Sequence, residues 1–291
     1  MVIRRIGATK DRLGEGPIWD EATQRLLWID SLAGLVHELD PVSGDRRDHV
    51  VPAPIGSLSL RREGGAILAL ADGFHRHDFT TGETTLVAPL GLSNPNVRLN
   101  DGKTDRQGRF LAGTMHLHRA EEEAPLGGLY RLDGEGRATL LVEDIATSNG
   151  PCFSPDGTVL YFADSTRQVI WAFDYDTATG TPRNRRIFAD LKPHATAPDG
   201  ATVDAEGHVW SVLVRTARIA RFDPAGRLVR VIDFPTRYPT SLAFGGAGLD
   251  VLYVTSISRS IRFEDPSPDA GGLFAIEGLG VRGIAEPRCA L

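Results

Sequence analysis

Cysteine is nearly absent from this chain: Cys152 and Cys289 are the two in 291 residues. That is too few for a disulfide framework. Cys152 sits in an apolar run and reads as a small buried hydrophobe rather than a nucleophile. Excess positive charge is missing too. Thirty-two Lys and Arg stand against 38 Asp and Glu, a formal net charge of −6. No basic field therefore invites nucleic acid or an anionic membrane. No run approaches the ~20 apolar residues of a membrane span. The opening MVIRRIGATKDRLGEGP has basic residues but no apolar stretch behind them, so no signal peptide is expected. These absences point to a soluble, cytoplasmic protein; a monomer or weak homo-oligomer acting on a small molecule is the expectation. The length allows two ordinary domains or one large all-β domain.

Helical periodicity is also scarce, and what fills its place is a repeated hairpin. In Thr147 to Ser165, TSNGPCFSPDGTVLYFADS, an apolar run follows Asn149-Gly150. A Ser-Pro-Asp-Gly turn and a run of strand formers come next. The layout predicts that Asn149 and Asp164 sit side by side at the open end. The same pattern of strand, turn and strand occurs at Glu15–Asp30, Gly56–Ala71, Arg98–Met115, Asp199–Val214 and Ser241–Thr255. Aligned on the second strands, the anchors are Leu27, Ile67, Phe110, Leu160, Val209 and Leu252, at intervals of 40, 43, 50, 49 and 43 residues. That is the period of a four-stranded β-propeller blade. Turns such as Asp40–Gly44, Asp133–Gly136, Asp176–Gly180 and Asp223–Gly226 mark the outer strands. The expectation is an all-β, six-bladed β-propeller as one domain over residues 1–291. Val2 to Ala8 should pair with a last blade built from 272–276 and 281–284, closing the ring. The charged Arg119–Pro125 reads as a solvated loop.

The first strand of each blade in such a fold lines the central channel. Counting back from the anchors, Glu15, Asn100, Asn149 and Asp199 fall 12, 10, 11 and 10 residues before theirs, and Ser57 and Ser241 fill the other two slots. Two carboxylates and two amides around one axis are a hard-oxygen set suited to a divalent cation. With no Cys or His in those slots, a structural zinc site is disfavoured. A plug of hydrogen-bonded polar side chains and water remains the bland alternative. The returning strands deliver Met115, His116, His118, Ser165, Arg167, Arg215, Ser256 and Ser258 to the same rim as a candidate substrate collar. His37, His49, His194 and His208 read as ordinary surface or turn residues.

Several long segments carry a family likeness. LGEGPIW at 13–19, RLNDGKTDRQGRFLAGTM at 98–115, SNGPCFSPDGTVLYFADS at 148–165 and PDGATVDAEGHVW at 198–210 lead it. AFGG, LYVTS and GGLFAIEGLGVRGIA extend it toward the C-terminus. In these the chain resembles the regucalcin (senescence marker protein) and gluconolactonase family. The resemblance implies a six-bladed propeller with one divalent ion in the channel, held by Glu15, Asn149 and Asp199. It implies substrate contacts from Arg98 and Asn100, and hydrolysis of aldonic-acid lactones. Two positions depart from the animal members. His118 or His116 stands where they carry a carboxylate, and Arg215-Thr216-Ala217 replaces an Asn-Gly-Gly loop. Substrate identity is therefore not carried over.

The chemistry that the resemblance implies is lactone hydrolysis, with Asp199 both ligand and general base. The metal could be Zn²⁺, Ca²⁺, Mn²⁺, Mg²⁺ or Fe²⁺. Arg215, with Arg167 and Arg98, could form a cationic collar for a sulfonated or carboxylated lactone. Two other classes stay open: an organophosphate or aryl-ester hydrolase on the same site, and a non-catalytic cation-binding propeller.

Overall fold

The computed structural model describes residues 1–92, 94–120 and 123–291. The strands group by fours. Blade one is β2 (Gly14–Asp20), β3 (Arg25–Asp30), β4 (Leu35–Leu39) and β5 (Arg46–Val50). Blade two is β6 (Ser57–Leu60), β7 (Ala66–Ala69), β8 (Gly73–His77) and β9 (Thr84–Pro89). Blade three is β10 (Val97–Thr104), β11 (Phe110–His116), β12 (Gly127–Leu132) and β13 (Ala138–Ile145). Blade four is β14 (Ser148–Phe153), β15 (Val159–Asp164), β16 (Val169–Asp176) and β17 (Thr181–Asp190). Blade five is β18 (Pro198–Val203), β19 (Val209–Leu213), β20 (Arg218–Phe222) and β21 (Leu228–Asp233). The sixth is β22 (Pro239–Gly245), β23 (Val251–Ser256), β24 (Leu273–Glu277) and, from the far end of the chain, β1 (Val2–Ile6).

The first strands touch one another around a ring, β2 to β6, β10, β14, β18, β22 and back to β2. This is the six-bladed propeller that the repeat predicts. Burial follows from position. Every residue of β14 is buried, whereas most of β17, at the rim, faces solvent. Six apolar clusters fill the six gaps between neighbouring blades. Trp28 and Trp210 are among the largest fully buried side chains. Second strands such as Val159–Asp164 are packed on both faces, which is why they read as continuous runs rather than alternating ones.

Closure comes from β1, antiparallel to β24 with Val2 opposite Glu277. The expected strand at 281–284 does not form. Gly278 and Gly280, at φ +74° and +79°, turn the chain out of the sheet, and β1 takes the outer place. The tail then crosses the ring's far face, with Ala205 N–H donating to the Arg282 carbonyl at 2.8 Å and Cys289 N–H to that of Leu60 at 2.7 Å. Both cysteines are buried, as expected, and burial pushes the Cys152 thiol up to about 12.

Two further expectations need correction. Asp164 pairs with Ser148, and Asn149 pairs with Ala163, so Asp164 and Asn149 face opposite sides of the sheet. Asp164 instead accepts the N–H groups of Ala146 and Thr147, at 3.0 and 3.2 Å, and fixes the chain entering the blade. His37 is not at the surface. It is 2% exposed, with Nδ1 2.7 Å from Asp48 and Nε2 3.1 Å from Asp11. Of the charged loop at 119–125, residues 121 and 122 lie outside the described residues.

Candidate metal centre and substrate cavity

Five of the six first strands break register just where the polar ring sits. The slips fall between Glu15 and Ile18, Leu99 and Gly102, Asn149 and Cys152, Pro198 and Ala201, and Pro239 and Leu242. Each is a bulge that re-aims side chains toward the axis. Glycine makes the close approach possible. Gly150 has φ +47°, and a Cβ there would lie 2.6 Å from the Asp199 carbonyl oxygen.

At the open end of the channel is a cavity of about 160 Å³, lined by Glu15, Arg98, Asn100, Asn149, Asp199 and Arg215 among others. All the residues expected in the ring apart from the two serines are there. Arg98, Asn149 and Asp199 are buried, at 5%, 7% and 8% exposure. A chain of hydrogen bonds fixes them. Arg98 Nη1 donates to the Leu99 carbonyl at 2.6 Å and to Asn100 Oδ1 at 3.1 Å. Asn100 Nδ2 donates to the Ser148 carbonyl at 2.9 Å and to Asn149 Oδ1 at 2.7 Å. Asn149 Nδ2 donates to Ser165 Oγ at 2.7 Å, and that hydroxyl donates to the Pro198 carbonyl at 2.6 Å. Both Asn100 amide hydrogens are thus engaged. Toward a ligand Asn100 offers its oxygen, as an acceptor for a hydroxyl.

The sequence reading missed Asp101. It is 6% exposed and accepts the Gly150 N–H at 2.9 Å. It lines a second cavity, about 270 Å³, at the opposite ends of the same inner strands. A signal was present: Asp101 directly precedes Gly102, as Glu15, Asn149 and Asp199 precede Gly16, Gly150 and Gly200.

Three carboxyls therefore crowd the axis. Burial, followed by the charges of Asp199 and Asp101, holds Glu15 well above the usual carboxylate range. Burial and Asp101 do the same to Asp199, and burial raises Asp101. Arg98 is the cation facing Glu15, and burial pushes it down to about 10 against the pull of Glu15 and Asp101; Lys103 also pulls on Asp101 and Arg262 on Asp199, yet all three acids stay raised. Glu15 Oε2 is buried without a hydrogen-bond partner among the described residues. A group of acids short of positive charge, with an orphaned carboxylate oxygen and an amide oxygen beside it, fits a hard divalent cation. Glu15, Asn149 and Asp199 are the donors that share the cavity.

Another cluster, Asp204, Glu206 and His208, also has metal-ligand spacing, but it lies on the turn between β18 and β19. Arg221 already pairs with Asp204 and Glu206 at 2.7 and 2.6 Å, so its charge is satisfied without an ion.

The expected collar is placed unevenly. Met115, Ser165 and Arg215 line the cavity. His116 and exposed His118 line an outer vestibule of about 610 Å³ that shares Leu117, Thr147, Thr166 and Arg262 with it. His116 Nε2 accepts the Leu126 N–H at 2.8 Å, which gives the ring a structural task. Arg167 is turned away, paired with Asp144 at 2.6 Å and Asp164 at 3.1 Å. Ser256 and Ser258 bond to the backbone carbonyls of Gly272 and Asp11. In place of Arg167 the cavity has Arg262, which the sequence reading did not single out. It follows the sixth blade's second strand, in a segment with no repeat counterpart.

Among the described residues, no helix is long and apolar enough to cross a membrane. The chain is 36% identical over 279 residues to regucalcin of Xenopus laevis, covering 94% of this chain and 93% of that one. It is 38% identical over 280 residues to the 6-deoxy-6-sulfogluconolactonase of Pseudomonas putida, covering 94% of each. Among solved structures, a calcium-binding regucalcin of Agrobacterium tumefaciens superposes with a TM-score of 0.91 at 31% identity, covering 100% of this chain and 98% of that one. The model for the SMP-30/gluconolactonase/LRE-like region matches residues 13–258, and the chain belongs to that family.

Proposed function

We propose that this protein is a lactonase that hydrolyses a sugar (aldono-) lactone to the sugar acid, with one divalent metal ion held by Glu15, Asn149 and Asp199. The observation that carries the reading is the mismatch on the axis: buried carboxyls short of counter-charge, at the floor of a cavity edged by polar side chains. The Pseudomonas putida relative's name supports a lactone as the substrate class. The similarity to the Agrobacterium tumefaciens regucalcin, a calcium-binding protein, supports a hard cation.

A metal ion in the site would supply Lewis acidity toward the ester carbonyl and a water of lowered pKa. The protein's own groups do the rest. Asp199 takes the proton of the attacking water through a carboxylate oxygen not used as a ligand. Asn100 Oδ1 accepts from a ring hydroxyl, and Arg98 holds Asn100 in place and lends positive charge beneath the substrate. Leu13, Leu32, Met115, Val214, Ile257 and Phe263 line the cavity and limit water around the reacting ester.

The test is hydrolysis of a panel of aldonolactones, followed by pH indicator and corrected for spontaneous opening. Metal-stripped protein is reloaded in turn with Ca²⁺, Mg²⁺, Mn²⁺, Fe²⁺ and Zn²⁺. Turnover that appears only with metal supports the proposal. Tight metal binding with no lactone turned over would overturn it, leaving the aryl-ester or organophosphate hydrolase and the non-catalytic propeller.

A further inference from the structure

Among the described residues, two arginines at the cavity mouth, Arg215 and Arg262, have no carboxylate within salt-bridge distance. Arg215 follows β19 in a tight turn closed by Thr216 N–H on the Leu213 carbonyl at 3.1 Å. Its guanidinium makes no hydrogen bond or salt bridge among the described residues, yet it lines the cavity. Arg262 stands on the turn after β23, held by Ser260 Oγ, which accepts the N–H groups of Arg262 and Phe263 at 3.3 and 3.1 Å. The Phe263 ring packs on Tyr238 with centroids 4.7 Å apart, which stiffens that turn. Arg262 Nη2 reaches across to blade three and donates to the His116 and Leu117 carbonyls at 3.1 and 3.2 Å. It forms no salt bridge with a described residue. Each arginine lies within the other's field, and Asp199 is the acid whose charge reaches Arg262.

Two like charges at one mouth, neither in a salt bridge with a described residue, are an arrangement for binding an oxyanion. The ester must react at the floor, beside Asp199. The part of the substrate that meets the arginines is then the end away from the ester.

Resting on the lactonase reading, we infer that Arg215 and Arg262 select lactones bearing a second, non-reacting anionic substituent: a sulfonate, phosphate or carboxylate. The pair determines specificity and takes no part in the bond changes.

The test compares kcat/KM for glucono-1,5-lactone with that for its 6-phospho and 6-deoxy-6-sulfo counterparts and for a glucarolactone. It uses metal-loaded wild type, Arg215→Gln, Arg262→Gln, Arg262→Lys and the double Gln variant. Taking the ratio of anionic to neutral substrate cancels general damage to the site. Each Gln substitution should lower that ratio by about tenfold, the scale of one charge-assisted contact, and the double variant by about a hundredfold. Arg262→Lys should recover part of the loss. Salt should erode the wild-type ratio. Which anion gives the largest ratio identifies the substituent. A ratio near unity in wild type, or one that the variants leave unchanged, overturns the inference. So does weaker inhibition by gluconate alone, which would assign the arginines to the product carboxylate. If no lactone is hydrolysed, the functional reading falls by itself. The inference is then decided by calorimetric Kd values for 6-phosphogluconate and gluconate. A tenfold loss confined to the phosphorylated acid in Arg215→Gln supports it, and parity refutes it.

Discussion

Asn100 Nδ2 donates to Asn149 Oδ1 across 2.7 Å, joining the third blade to the fourth at the channel axis. Asn149 Nδ2 is held in turn by Ser165. The carboxamide plane of a candidate metal ligand is therefore set by two bonds, and its oxygen keeps a lone pair for the ion. Asn100→Ala removes one of the two. Metal affinity should fall by about 10- to 100-fold, the usual cost of losing a partner that orients a ligand. Calorimetric titration of the stripped variant measures this directly. Affinity equal to wild type would confine Asn100 to substrate contact.

Asp199 carries the heaviest assignment. Asp199→Asn keeps an oxygen donor and removes the base, so kcat should fall by about 10²–10⁴ while the fold persists. Its effect on stability has a counterintuitive sign. Glu15 and Asp199 are raised acids, so the metal-free folded protein binds more protons there than the unfolded chain does. Its stability should decline as pH rises from the ordinary carboxylate value through the raised folded values. Removing one carboxyl relieves the others. At pH 8 the stripped variant should melt at or above the temperature of stripped wild type, and added metal should raise Tm less than it does in wild type. A clear drop in the stripped variant's Tm would mean that Asp199 stabilises the fold without an ion.

The blades were legible because each repeats one apolar hairpin at a spacing that nothing but stacked four-stranded units explains. Glu15, Asn100, Asn149 and Asp199 were legible because the repeat placed them at one level of the axis. Three things were not. Counting back from the second strand ignores the bulges, so Asp101 was passed over although it lies beside Asn100. Arg262 belongs to an insertion after the sixth hairpin, where periodicity has nothing to say. Arg167 and His37 are governed by partners distant in sequence, Asp144 for one and Asp11 for the other, and hydropathy does not encode such pairs.

Gly150 offers a test of the bulge geometry. At φ +47°, an added Cβ would lie 2.6 Å from the Asp199 carbonyl oxygen and 2.9 Å from Ala201 Cβ. Gly44, at φ +81°, has nothing within 4 Å of the same position. Gly44→Ala should cost about 1–2 kcal/mol, the left-handed backbone alone. Gly150→Ala adds a clash against the strand bearing Asp199 and should cost about 1–3 kcal/mol more. It should also weaken metal binding, which Gly44→Ala should leave intact. Urea unfolding and metal titration of the two variants read both effects. Equal costs would show that the fifth blade moves away freely.

His37 is a buried histidine whose Asp11 partner also anchors the turn that carries Arg262. Burial opposes charge on its ring, but Asp11 and Asp48 outweigh burial, and its pKa lies above the ordinary value of 6.5. Arg46 braces Asp48 at 2.5 Å, and Trp28 Nε1 donates to Asp11 at 2.7 Å, so both carboxylates are fixed. The Asp11 carbonyl accepts the Ser258 hydroxyl at 2.7 Å, at the root of the turn that carries Arg262. A raised histidine contributes stability that is fully present below about pH 6.5 and is lost as pH rises through the folded value. Asp48, lowered to about 2 chiefly by its bond to Arg46, keeps its charge throughout that window. The Tm difference between wild type and His37→Gln should therefore be widest near pH 6 and narrow toward pH 8.5. Melting curves at half-unit steps, on metal-stripped protein and with the axial carboxyls common to both variants, isolate the histidine. A gap of constant size across that range would mean that the ring is neutral in the fold and that Asp11 and Asp48 hold it by hydrogen bonding alone.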